Sequence, residues 1–208
     1  MALADPINTT CRKIPCWMVY AVGIIPALLL VAGIFTGSLG IDPIKTLEHK
    51  TGELALQFFI ASLAVTPLGR FLGVRLLKFR RAIGLLAFVY VALHLIVWVG
   101  LDMALLWEQM WRDVWKRPYI TVGMGAFLLM LPLAISSNNT SVKRMGAKGW
   151  QKLHKLAYPG AVLAVIHNVM VQKVWEVEAM IYAGIVVFLI GLRYVPKSSS
   201  RGSAARAS

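Results

Sequence analysis

Residues 150–172 read W-Q-K-L-H-K-L-A-Y-P-G-A-V-L-A-V-I-H-N-V-M-V-Q. The stretch holds two of the chain's four histidines, His154 at its basic end and His167 deep in its apolar part. An imidazole in hydrocarbon is costly, so a histidine within a membrane segment is a functional-site hypothesis by default. A third histidine, His94, sits in a second apolar run, L-L-A-F-V-Y-V-A-L-H-L-I-V-W, residues 85–98. The fold turns on whether such runs are the core of a soluble domain or spans of a membrane.

The rest of the chain decides for membrane. Hydrophobic residues make up 58% of the 208 positions, and they are gathered into a series of runs rather than scattered. The runs are 17–37, 54–69, 82–101, 118–135, 153–172 and 179–195. About 20 apolar residues cross the hydrocarbon of a bilayer. Backbone groups in lipid must be satisfied internally, so the spans are helical. A β-barrel needs period-two alternation, and the runs lack it. The expected architecture is an all-α integral membrane protein, a bundle of six transmembrane helices over residues 17–195. A short lead, 1–16, precedes it, and a Ser/Ala/Gly/Arg tail, 196–208, reads as disordered by composition. The basic lead resembles a signal peptide, but the first run is too long for a typical h-region and reads as retained.

Between the third and fourth runs lies D-M-A-L-L-W-E-Q-M-W-R-D-V-W-K-R, residues 102–117. Trp107, Trp111 and Trp115 recur every four residues, and with Leu106, Met110 and Val114 they form an apolar stripe opposite charges. Such a helix is expected to lie in the membrane interface, where indole is favoured.

Six spans put both termini on one side. Of the 22 Lys and Arg, sixteen fall on that side, in the lead, in 70–81, in 136–155 and from Arg193 onward. The positive-inside rule therefore places both termini in the cytoplasm. The formal charge of +13 is accounted for by this sorting, and nothing calls for a nucleic-acid partner. Cys11 and Cys16 make no C-x-x-C-H haem-attachment motif.

The third and fifth spans run in the same direction. His94 lies 12 residues into one, about 18 Å at 1.5 Å per residue, and His167 lies 14 residues into the other, about 21 Å. Two imidazoles at matching depth on co-directional helices suit the two axial positions of one haem iron, in the outer half of the membrane. Two histidine ligands leave no open site for oxygen and favour electron transfer. With no covalent attachment motif, such a haem is b-type. His154 is 13 residues before His167, about 140° away on an ideal helix. It does not share the face of His167 unless the Tyr158-Pro159-Gly160 segment rotates the helix. A second haem, a quinone or flavin site, and a plain interfacial histidine all remain open for it. His49, in the first outer loop, reads as a solvated loop residue, with a place near a haem edge as the alternative. Proton or metal transport would instead want acidic partners inside the spans, and no acid lies centrally in one.

Several stretches together carry a resemblance: L-G-I-D-P-I-K (39–45), H-K-T-G-E-L-A-L (49–56), T-P-L (66–68), R-R-A-I-G-L (80–85), L-H-L (93–95), R-P-Y-I-T-V-G (117–123), W-Q-K-L-H-K (150–155), I-H (166–167) and I-Y-A-G (181–184). In these the chain resembles the MsrQ (YedZ) family, and more broadly the ferric-reductase-like transmembrane domain. The resemblance implies a b-type cytochrome of the bacterial inner membrane. It implies electrons taken from the quinol pool, or from a cytoplasmic flavin reductase, and passed to a periplasmic MsrP-like molybdenum enzyme that reduces methionine sulfoxide in oxidised proteins. FMN is also associated with the family. The family's histidines fall on His94, His154 and His167, with His94 and His167 the favoured haem pair. The larger oxidases of this architecture use two histidines in each of two helices, whereas the third span here has His94 alone. A membrane ferric reductase is the nearest alternative activity.

Overall fold

The computed structural model describes residues 4–172 and 176–195, and every regular element among them is a helix. In chain order these are α1 (Ala4–Lys13), α2 (Cys16–Thr36), α3 (Pro43–Phe71), α4 (Arg80–Val97), α5 (Trp107–Lys116), α6 (Pro118–Ile135), α7 (Asn139–Leu153), α8 (Ala157–Val171) and α9 (Val177–Gly191). Among the described residues, four segments are long and apolar enough to cross a bilayer: Cys16–Thr36, Pro43–Phe71, Leu77–Asp102 and Pro118–Ile135. α9 is a shorter apolar helix. The expected tail, 196–208, lies outside the described residues.

Two expected loops are helical instead. The stretch before the second span joins α3, which begins at Pro43. Asp42 caps it, its side chain accepting from the Lys45 amide at 3.1 Å, and Pro43 at the first position has no N–H to leave orphaned. The polar segment 136–152 mostly forms α7, capped by Asn138 on the Ser141 amide at 2.7 Å and interrupted at Gly146, where φ is 69°. Hydropathy marks where a chain is apolar, not where a helix starts, so polar helical ends read as loops.

α4 packs along α3, and α8 along α6; α2 lies against α4 and α9 against α8. Leu56, Phe59 and Leu63 of α3 meet Ala87, Met130, Ala161, Val165, Val186 and Leu189 in the shared core. α2 buries only Gly23 and Gly33 and turns Val22, Leu28, Leu29, Val31 and Phe35 outward, as a lipid-facing helix must. Its tie to α4 is polar. Pro26 interrupts α2, and one residue later the Ala27 amide donates to the Tyr90 hydroxyl at 3.1 Å. That hydroxyl donates to the Gly23 carbonyl at 2.7 Å. A side chain from α4 thus completes a rung of the α2 ladder.

At the opposite flank α4 ends in a π-helical turn, Trp98–Asp102. The chain then passes through Ala104 and Leu105, both at positive φ, into α5. Trp107, Trp111 and Trp115 face outward, 62%, 65% and 78% exposed. Met110 does not share their outward face, as the sequence suggested; it is buried with Trp98, Met103 and Ile120, and Val114 packs on that cluster. At 100° per residue Met110 sits on the flank of the tryptophan row, and that flank meets the bundle.

Candidate functional site

The starts of α3 and α6 and the ends of α4 and α8 enclose a cavity of about 450 Å³ at one end of the bundle. His94 and His167 both line it. Their ring centroids are 6.2 Å apart and their planes 73° apart. The wall between is apolar and aromatic, including Leu56, Phe59, Trp98, Phe127 and Met130. Lys45, Glu48, His49, Asp102 and Arg117 also line it. The Arg117 guanidinium donates to the Tyr119 hydroxyl at 3.0 Å, and that contact pushes its pKa further up.

Each histidine leans back on the helix that packs beside its own. His94 Nδ1 is 2.9 Å from the Glu48 carbonyl oxygen of α3. His167 Nδ1 is 2.7 Å from the Tyr119 carbonyl oxygen of α6. A carbonyl has no hydrogen to give, so Nδ1 donates in both rings and Nε2 keeps its lone pair. This is the arrangement metal-ligating histidines adopt, the second nitrogen fixed by a backbone or carboxylate acceptor. Under each ring is a glycine. A Cβ on Gly52 would lie 3.1 Å from His94 Nδ1, and one on Gly123 would lie 2.8 Å from His167 Nδ1.

The spacing suits one metal ion that both rings would hold. An imidazole nitrogen binds a transition metal at about 2 Å, and the ring centre lies roughly 1 Å behind it, so two rings facing across one metal stand about 6 Å apart. The cavity's apolar lining and the cations Lys45 and Arg117 match a porphyrin with two carboxylate arms. Haem therefore fits the residues present, and His94 and His167 are the side chains that would hold its iron.

His154 is not brought to this cavity. Its ring stacks on Trp150 with centroids 3.6 Å apart, its Nδ1 is 3.1 Å from the Trp150 carbonyl oxygen, and its Nε2 is 3.5 Å from Ser137 Oγ. A short 3-10 turn, His154–Leu156, separates it from α8. Pro159 in the first turn of α8 has no amide hydrogen for a continuous ladder, which places the irregularity there. His49 is exposed but lines the cavity. Sequence reasoning overlooked Gly52, Gly123 and the two carbonyl acceptors. The available signal, at Gly123 alone, was a glycine inside an expected helix, which costs about 1 kcal/mol against alanine.

Comparisons with known proteins agree with this architecture. Residues 50–165 match the family described as ferric reductase like transmembrane component. The chain is 42% identical over 196 residues to the protein-methionine-sulfoxide reductase heme-binding subunit MsrQ of Brucella anthropi, covering 90% of this chain and 89% of that one. It is 43% identical over 186 residues to the subunit of the same name from Rhodospirillum rubrum, covering 89% of each. The Brucella ovis protein of that name is 42% identical over 174 residues, 84% of this chain and 79% of its own. With the matched segment running from the first turns of α3 into α8, the chain belongs to the MsrQ family of ferric-reductase-like transmembrane proteins.

Proposed function

We propose that this protein is a b-type cytochrome subunit that relays electrons through the membrane to a methionine sulfoxide reductase on the outer side. The observation that carries the reading is the His94–His167 pair, two Nδ1-anchored imidazoles 6.2 Å apart in an apolar cavity. The relatives' name, heme-binding subunit of a protein-methionine-sulfoxide reductase, supports both the cofactor and the partner. A haem ligated by two histidines supplies one-electron transfer without a position for oxygen.

The chain's own residues do the rest. His94 and His167 present Nε2, and the carbonyls of Glu48 and Tyr119 hold each ring in that tautomer. Phe59, Trp98, Phe127 and Met130 exclude water, and Lys45 and Arg117 offer positive charge for carboxylate arms. Six spans, with α8 and α9 as the fifth and sixth, put both termini in the cytoplasm and the cavity in the outer half. The site then opens toward a periplasmic partner, and electrons enter from quinol in the bilayer or from a cytoplasmic flavin reductase. Methionine sulfoxide reduction, the reversal of an oxidative lesion, takes place on the partner. The localisation is the bacterial inner membrane.

The test is reoxidation. Dithionite-reduced, detergent-purified protein is mixed with the periplasmic reductase and methionine sulfoxide. Reoxidation that requires both components supports the reading. Reoxidation by ferric chelate alone, with no response to the reductase, contradicts it and favours a ferric reductase.

A further inference from the structure

The two cavity histidines are docked by the same device on two different helices. In α3 the acceptor carbonyl belongs to Glu48 and the bare position, four residues on, is Gly52. In α6 the carbonyl belongs to Tyr119 and the bare position, again four residues on, is Gly123. One helical turn separates i from i+4, so the i+4 side chain stands over the carbonyl of residue i. A side chain there would block a neighbour's path to that oxygen. The same two ring atoms approach in both cases. A Cβ on Gly52 would meet His94 Nδ1 at 3.1 Å and Cε1 at 3.2 Å; one on Gly123 would meet His167 Nδ1 at 2.8 Å and Cε1 at 2.9 Å. Other glycines of the bundle are not placed this way: Gly84, on the same helix as His94, has nothing within 4 Å of its Cβ position.

We propose that Gly52 and Gly123 are positioning residues that fix the plane and tautomer of the two imidazoles, and through them the ligand field and reduction potential of the iron. The proposal rests on the haem reading above. A methyl group at either position pushes the Nδ1–Cε1 edge away from its helix and lengthens the Nδ1–H···O=C bond. That bond raises the basicity of Nε2. Loosening it makes the ring a poorer donor, favours the reduced iron and shifts the midpoint potential upward. It also frees the ring plane, so the 73° between the two rings is no longer held. The closer approach at Gly123 makes that site the more sensitive.

The experiment compares full-length, haem-loaded wild type with G52A, G123A and G84A in detergent. It reads low-spin electron paramagnetic resonance g-values, midpoint potential and the rate of haem loss to apomyoglobin. G52A and G123A are expected to alter the g-values and raise the midpoint. Their haem loss should be about tenfold faster or more, within the range seen for outer-shell partners of metal ligands. The effect should be larger in G123A, and G84A should match wild type. If G123A does not accumulate, G52A, whose clash is only a few tenths of an ångström, decides the matter. G52A and G123A with wild-type g-values and midpoint overturn the proposal, even if both melt at lower temperature, because a merely structural role moves only the melt. Wild type that carries no haem overturns the reading beneath it, a result distinct from the first.

Discussion

His94 and His167 line one cavity with ring centroids 6.2 Å apart, each anchored through Nδ1 to a main-chain carbonyl of a neighbouring helix. The pair comes from helices that each pack mainly on a different partner, α4 on α3 and α8 on α6. The spacing is therefore a property of the assembled bundle. Haem-free protein should accordingly bind added haemin without gaining helix. Far-ultraviolet circular dichroism during a haemin titration should stay within a few per cent of its starting value. A large rise in helicity on binding would show that the pocket is built by the ligand.

The Tyr90 hydroxyl, wholly buried, stands between the Ala27 amide and the Gly23 carbonyl beside Pro26. Tyr90→Phe removes both bonds and with them the polar tie between α4 and α2. A loss of about 1–2 kcal/mol is expected, the upper range for hydrogen bonds between membrane helices. A thermal melt in detergent checks it, with the haem spectrum unchanged because Tyr90 does not line the cavity.

His154 stacks on Trp150 outside the cavity. His154→Ala should leave the haem between His94 and His167 in place, with unchanged low-spin g-values for that centre. Loss of that signal would mean that His154 is a ligand to the same iron.

Much of this was legible in the sequence. α6 occupies 118–135 as its apolar run does, and the similar depth of His94 and His167 in their runs anticipated that they would line one cavity. The docking of the rings was not legible. It depends on H-K-T-G, residues 49–52, being helical, whereas the charges there read as loop. It also depends on main-chain carbonyls, which every residue has and no sequence pattern singles out. α8, Ala157–Val171, lies wholly within the apolar run 153–172, but the 3-10 turn His154–Leu156 that precedes it was not legible.

The outward row of Trp107, Trp111 and Trp115 on α5 should lie at the lipid headgroup level. In proteoliposomes, lipids brominated near the headgroup should quench tryptophan fluorescence more than lipids brominated at the chain end. Replacing all three by alanine should remove most of that difference while leaving the haem spectrum as it was. Equal quenching at both depths in wild type would contradict an interfacial α5.

Haem content per chain tests the central claim most directly. Pyridine haemochrome assays on purified wild type, His94→Ala and His167→Ala should show that each substitution removes the haem held by the pair, lowering the count by one per chain while the protein still elutes as a folded species. An unchanged haem count with a wild-type low-spin spectrum in both variants would contradict it.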